Sequence, residues 1–510
     1  MNTPALPPSP GLPAAPQDYS HIIETGKDGR LEPVTPEDHV AALLKRAMDS
    51  NRTVVIHLHG GLVSKGSAYE MVNRLQPAYL SQKLFPIFIV WHTGLMETLA
   101  NAGELVHRPI FEKLLIRLLK HFVSRYGSET GKALGPGEEP DDEEVERELQ
   151  KRDRGEIPYD WVHPRPSQED ISRSEEDDLV KAIEDDGELK EEWALEVKAP
   201  EVPPGGKSLG LDESIRDEAL EEAERPGGKA LLSGAVLARH AVLIAARVIK
   251  RYYKHRDHGL HTTIVEEILR ELYVDLIGTE IWQFMKQDSA DTFQPDTPPH
   301  ERGGWLLMKL LGNALKERQA AGKALPKVSV LGHSAGSIYA AHLLGYLDTE
   351  RKLNGSAWFG SRFKFDKLVF LAPAATCKTL STMLTLHAAA PLFGAFRMYS
   401  LTDDTEHGYY EVPVLYPGSL LYIISGLLES EDDGGSGDMP LVGMQRYERT
   451  KYPFTQAEVT QVWQFLKAAP AQLVWSGEHR GPGLNCDSRQ HGEFFRTPET
   501  IESFLYFLNA

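Results

Sequence analysis

Cysteine is scarce: the 510 residues include two, Cys377 and Cys486. At most one bridge could form, so the fold does not rest on a disulfide framework, and a reducing, cytoplasmic location is expected. Positive charge is also short. With 55 Lys and Arg against 74 Asp and Glu the formal charge is −19, which excludes a nucleic-acid binder that relies on phosphate contacts. The opening stretch, MNTPALPPSPGLPAAP, has no basic start and no apolar run. It reads as a flexible Pro-rich tail over residues 1–34 and not as a secretory signal. A long apolar run free of charge is missing as well. The nearest, residues 231–249, carries Arg239, His240 and Arg247, and a charge at mid-bilayer costs about 2.5–3.5 kcal/mol on insertion scales. That stretch reads as an amphipathic helix packed on protein.

The negative charge is concentrated. Residues 138–225 hold 32 acidic and 12 basic side chains, while the rest of the chain holds 42 and 43. A near-neutral protein is therefore interrupted by one acidic block, whose charge runs predict a solvated, mobile segment. Around it the patterning is that of an α/β protein. Residues 53–58 (TVVIHL) and 85–91 (FPIFIVW) are short apolar runs of the kind buried in parallel sheets, with a helix over 67–80 between them. Thr35-Pro36-Glu37-Asp38 reads as the start of a preceding helix. After a break of about two hundred residues, far beyond an ordinary connection, helices and strands alternate again. Strands are expected at 327–331, 367–371, 396–401 and 472–475, and a last helix follows Thr497-Pro498. The expected fold is α/β: a mostly parallel central sheet flanked by helices, from 35–104 and 301–510, with a largely helical insertion over 105–300. Helices are expected there at 105–126 and 264–287 by apolar spacing.

The residues with the clearest chemistry are Gly332-His333-Ser334-Ala335-Gly336. An apolar strand runs directly into this G-x-S-x-G stretch and a helix leaves directly from it. A sharp strand-to-helix turn forces its apex into a strained conformation and demands small neighbours two positions away, which both glycines supply. Such a turn lifts Ser334 above the carboxyl edge of the sheet and points the N–H of Ala335 toward developing negative charge. An ordinary Gly-rich loop could carry the same letters; the strand and helix on either side favour a nucleophile.

On these residues the chain resembles the α/β-hydrolase superfamily, over roughly 50–95 and 305–510 and not in the insertion. The resemblance implies an oxyanion hole from the backbone of His59-Gly60-Gly61-Leu62 together with Ala335. It implies an acid after the strand near 396–401, where Asp403 and Asp404 stand with Asp403 the nearer, and Glu406 in reserve. It implies a base after the last strand, with His491 (RQHGEFF) preferred to His479. His59, Trp91 and His333 would line the substrate site. His57 and His59 share a strand face, but no third ligand accompanies them, so they read as structural, and neither metal nor cofactor is expected. The implied activity is that of a serine hydrolase: Ser334, His491 and Asp403 cleave a carboxylic ester, with a lipid or acyl ester among the candidates. Thioesterase, peptidase and acyltransferase stay open, as does a non-catalytic interaction protein on a hydrolase scaffold. The expected partners are a small-molecule or lipid ester, with peripheral membrane or basic-protein contact through the insertion.

Overall fold

The computed structural model describes residues 18–61, 65–91, 108–127, 139–199, 211–224, 234–273, 279–298, 300–353, 359, 363–407, 416–429, 437–449 and 452–510. Strand β1 (Ile22–Thr25) leads to helix α1 (Glu37–Asp49), β2 (Thr53–Leu58), α2 (Lys65–Ser81) and β3 (Leu84–Trp91). The helices next described are α3 (Pro109–Tyr126), α4 (Asp142–Leu149), α5 (Arg173–Asp185), α6 (Gly187–Val197), α7 (Glu213–Glu224), α8 (Gly234–Tyr253), α9 (Leu260–Leu272) and α10 (Thr279–Asp291). Then come α11 (Gly303–Ala320), β4 (Val328–His333), α12 (Gly336–Lys352), β5 (Phe365–Leu371), α13 (Cys377–Ala389) and β6 (Phe393–Ser400). Short helices α14 (Asp403–His407) and α15 (Leu420–Ile423) precede α16 (Ala457–Leu466), β7 (Leu473–Trp475) and α17 (Pro498–Asn509).

The seven strands form one sheet in the order β1-β3-β2-β4-β5-β6-β7, and every pairing is parallel. The expected "mostly parallel" sheet is thus wholly parallel. β2, β3 and β4 are buried almost throughout, which is why they read as continuous apolar runs. From β2 the chain moves to one side of the sheet and from β4 to the other. The crevice between the carboxyl ends of β2 and β4 is therefore the topological switch point, where ligands bind in open α/β sheets.

Two expectations are corrected. The tail does not extend to residue 34: Ile22–Thr25 pairs with β3, Ile22 opposite Phe88 and Thr25 opposite Trp91. Buried Glu24 anchors it, accepting from the Tyr69 hydroxyl at 2.6 Å and pairing with Lys65. Thr35, at the expected helix start, bonds the Glu24 backbone at 2.9 Å, and the cap position falls to Pro36. The acidic block is also not simply a solvated arm. Its described helices each bury an apolar stripe: Val145 and Leu149, Leu179 and Ile183, Leu189, Trp193 and Val197. These residues recur at helical spacing, and the stripes of α5 and α6 pack on α3 and α8. Residues 142–197 should therefore resist limited proteolysis under native conditions; rapid cleavage within α5 or α6 would restore the mobile-arm reading. Among the described residues, no helix is long and apolar enough to cross a membrane.

The insertion is tied to the sheet domain by a buried ionic network. Arg251 of α8 pairs with Glu266 and, at 3.1 Å, with Glu267 of α9. His258 faces Glu266 at 2.7 Å through Nδ1 and Asp438 at 3.0 Å through Nε2. With a carboxylate at each ring nitrogen both positions must donate, so this imidazole is a cation. Burial opposes that charge most strongly, but Glu266 and Asp438 together raise its pKa above the ordinary value. Arg446 and the Tyr447 hydroxyl complete the cradle around Asp438, and the Tyr416 hydroxyl donates to Glu266.

Candidate active site

Ser334 stands at the switch point, between the last residue of β4 and the first turn of α12, with φ at +52°. Such a backbone costs a non-glycine residue about 1–3 kcal/mol and survives only where its surroundings over-determine it. Here they do. The Ser334 N–H donates to Leu371 O at 2.9 Å. Its carbonyl accepts from the N–H groups of Ser337 (3.0 Å) and Ala374 (3.1 Å) and from the Ser337 hydroxyl (2.6 Å). The flanking glycines are steric necessities. A methyl on Gly332 would come within 2.6 Å of Gly336 O, and one on Gly336 would overlap the carbonyl of Leu58 at the end of β2. The strand-to-helix turn read from the sequence is present, with the residue pattern it needs.

The glycine loop after β2 lies against this turn. A methyl on Gly60 would stand 3.0 Å from His333 Nδ1 and 3.1 Å from Ser334 Cβ, and one on Gly61 would stand 2.8 Å from Ala335 Cβ. Gly60, Gly61, Ser334 and Ala335 are therefore neighbours. Leu62 lies outside the described residues. The start of α12 leaves amide N–H groups without partners inside the helix, beside Ser334.

His491 also arrives here, in the short turn His491–Phe495 before α17. Its carbonyl accepts from His333 Nε2 at 3.0 Å, which places that proton on Nε2, and the two rings are 5.0 Å apart. Burial, and secondarily the nearby His333, hold His491 well below the ordinary histidine pKa. Burial likewise lowers His333 to about 4. Both imidazoles are neutral at pH 7. Ser334 is 1% exposed and, among the described residues, its hydroxyl has no hydrogen-bond partner, His491 included.

Other expected site residues are placed differently. Asp403 follows β6 as expected, but its carboxylate accepts from the Tyr422 hydroxyl at 2.6 Å and its N–H donates to Gln445 at 2.8 Å. It is not hydrogen-bonded to His491. Asp404 is exposed, and Glu406 is buried with Ser419 as one partner. His479 is 60% exposed, with its Nε2 2.7 Å from Asp487 Oδ1. His59, Trp91 and His333, expected to line the substrate site, make hydrogen bonds that tie loops together. His59 Nε2 accepts from the Trp91 N–H at 3.1 Å, and Trp91 Nε1 donates back to His59 O at 3.1 Å. His57 bonds the Tyr79 hydroxyl at 2.9 Å, a structural role.

Met285, which packs over Gly61 from α10, has no local signal in the sequence, and the expected helix over 264–287 falls on two helices, α9 and α10. A cleft of about 760 Å³ opens beside the turn, lined among others by Gln283, Lys286, Ile338, Thr376, Glu429 and Met439. Ser334 does not line it, although Ile338 stands one helical turn beyond it. Among the described residues, no group of three or more His, Cys, Asp or Glu side chains is arranged to hold a metal ion. Comparison of the chain with models of known protein families, with curated proteins and with solved structures finds no match.

Proposed function

We propose that this chain is a serine hydrolase of the α/β-hydrolase kind, cleaving carboxylic esters through an acyl-enzyme. The observation that carries the proposal is Ser334, a non-glycine residue fixed at positive φ at the switch point of a parallel sheet, between two glycines the turn requires. In this reading the Ser334 hydroxyl attacks the ester carbonyl and its proton passes to neutral His491. The Ala335 N–H, with Gly60 and Gly61 alongside, stabilises the oxyanion; the alcohol leaves, and water then releases the acid by the reverse sequence. Asp403, held by Tyr422, is assigned no step.

That engagement of Asp403 favours the second reading, an interaction protein that keeps the scaffold without the chemistry. A chain-length series of p-nitrophenyl esters decides between the two. Turnover is expected, with Ser334→Ala lowering it by about 10³-fold or more; equal rates for wild type and Ser334→Ala would leave the second reading. The preferred length separates a short-chain esterase from a lipid-directed one.

The pH profile follows from His491. The base must be neutral, and its pKa lies well below 6.5, so its protonation removes activity only at lower pH. The acidic limb of kcat/KM is expected below pH 6.5, with no loss between pH 8 and pH 6.5. A limb centred at or above 6.5 would contradict a buried base.

A further inference from the structure

α10 packs against α12 and covers the turn. Along it Trp282, Met285 and Ser289 are buried, while Phe284 is 64% exposed. Met285 occupies the space directly over Gly61, where even a methyl would overlap its sulfur, and the same spot is 2.8 Å from Ala335 Cβ. The thioether therefore sits beside both backbone segments that the hydrolase reading uses for the oxyanion. Ser334 beneath is 1% exposed, its hydroxyl without a hydrogen-bond partner among the described residues, a state in which no ester could reach it.

Besides the buried Trp282 and Met285, polar contacts hold α10 down. Lys286 Nζ lies 2.9 Å from both oxygens of Glu429, and Trp282 Nε1 donates to the same carboxylate at 2.8 Å. One turn on, Ser289 Oγ meets His342 Nδ1 at 2.9 Å, and Asp288 accepts from the Asp28 N–H at 2.8 Å. Lys286 and Glu429 also line the cleft beside the turn. Lys286 is the partly exposed partner of this buried carboxylate, so solvent in the cleft reaches the pair from one side.

We propose that α10 is a lid that plugs the site with Met285, is latched by Glu429, and opens into the adjacent cleft to admit substrate. The proposal rests on the hydrolase reading and adds its gate. Substrate entering the cleft would meet the latch itself, so occupancy of the cleft and release of the lid are coupled.

The test is the second-order rate of labelling by a fluorophosphonate probe on the full chain. Glu429→Gln and Met285→Ala should each label at least five times faster than wild type, Met285→Trp more slowly, and Ser334→Ala not at all. Wild-type rates in Glu429→Gln and Met285→Ala, with labelling still lost in Ser334→Ala, would overturn the lid and leave the hydrolase reading standing. Absence of labelling in every protein would overturn the hydrolase reading and the lid with it. Amide hydrogen exchange guards against misfolded variants. In wild type α10 should exchange faster than β4 and α12, and about tenfold faster again in Glu429→Gln. Protection of α10 equal to that of β4 in both proteins would also overturn the lid.

Discussion

Replacing His491 with alanine is expected to lower ester kcat/KM by about three orders of magnitude, the usual scale for loss of a general base acting with a serine nucleophile. His479→Ala should retain most of the activity. The two histidines differ in place more than in sequence context. His491 lies in a closed, neutral setting against His333, the residue before Ser334. His479 lies on a small hairpin, 60% exposed and beside Asp487. Deleting a buried ring also removes packing against His333, so unchanged circular dichroism and melting behaviour must accompany the kinetic loss. A large loss in His479→Ala with activity kept in His491→Ala would exchange their roles.

The second large effect concerns stability. Arg251→Met should destabilise the fold by about 3–5 kcal/mol, because it leaves Glu266 and Glu267 buried and short of a compensating charge. All three side chains are fully buried, so water cannot take the place of the guanidinium. Lys250→Met, one residue away on a half-exposed side chain, should cost less than about 1 kcal/mol. Urea unfolding of the two variants makes the comparison. A small effect in Arg251→Met would show that the network adds little to holding the insertion against the sheet domain.

Which features could be read from the chain follows from how locally each is encoded. β2, β3 and β4 are buried on both faces, so they appear as short apolar runs closed by Gly, and their bounds come out within a residue or two. The turn at Ser334 is encoded in five consecutive residues, because its geometry imposes small neighbours at fixed offsets. β1 escaped notice: four residues carry little periodicity, and their burial comes from pairing with Phe88 to Trp91. In the acidic block the charge runs mask the helical spacing, although Leu189, Trp193 and Val197 stand at helical intervals. Least legible were the long-range pairings. His258 meets Asp438 across 180 residues, and Asp403 meets Tyr422 in place of His491. Nothing local to those residues records the partner. The position of Met285 over Gly61 likewise depends on how α10 packs, not on any motif.

The central claim is that Ser334 is a nucleophile, and mass spectrometry after fluorophosphonate treatment tests it most directly. One covalent adduct is expected on the peptide containing Ser334, formed by native protein and lost on prior denaturation. An adduct on another residue, or an unmodified Ser334 after exhaustive treatment of native protein, would contradict it.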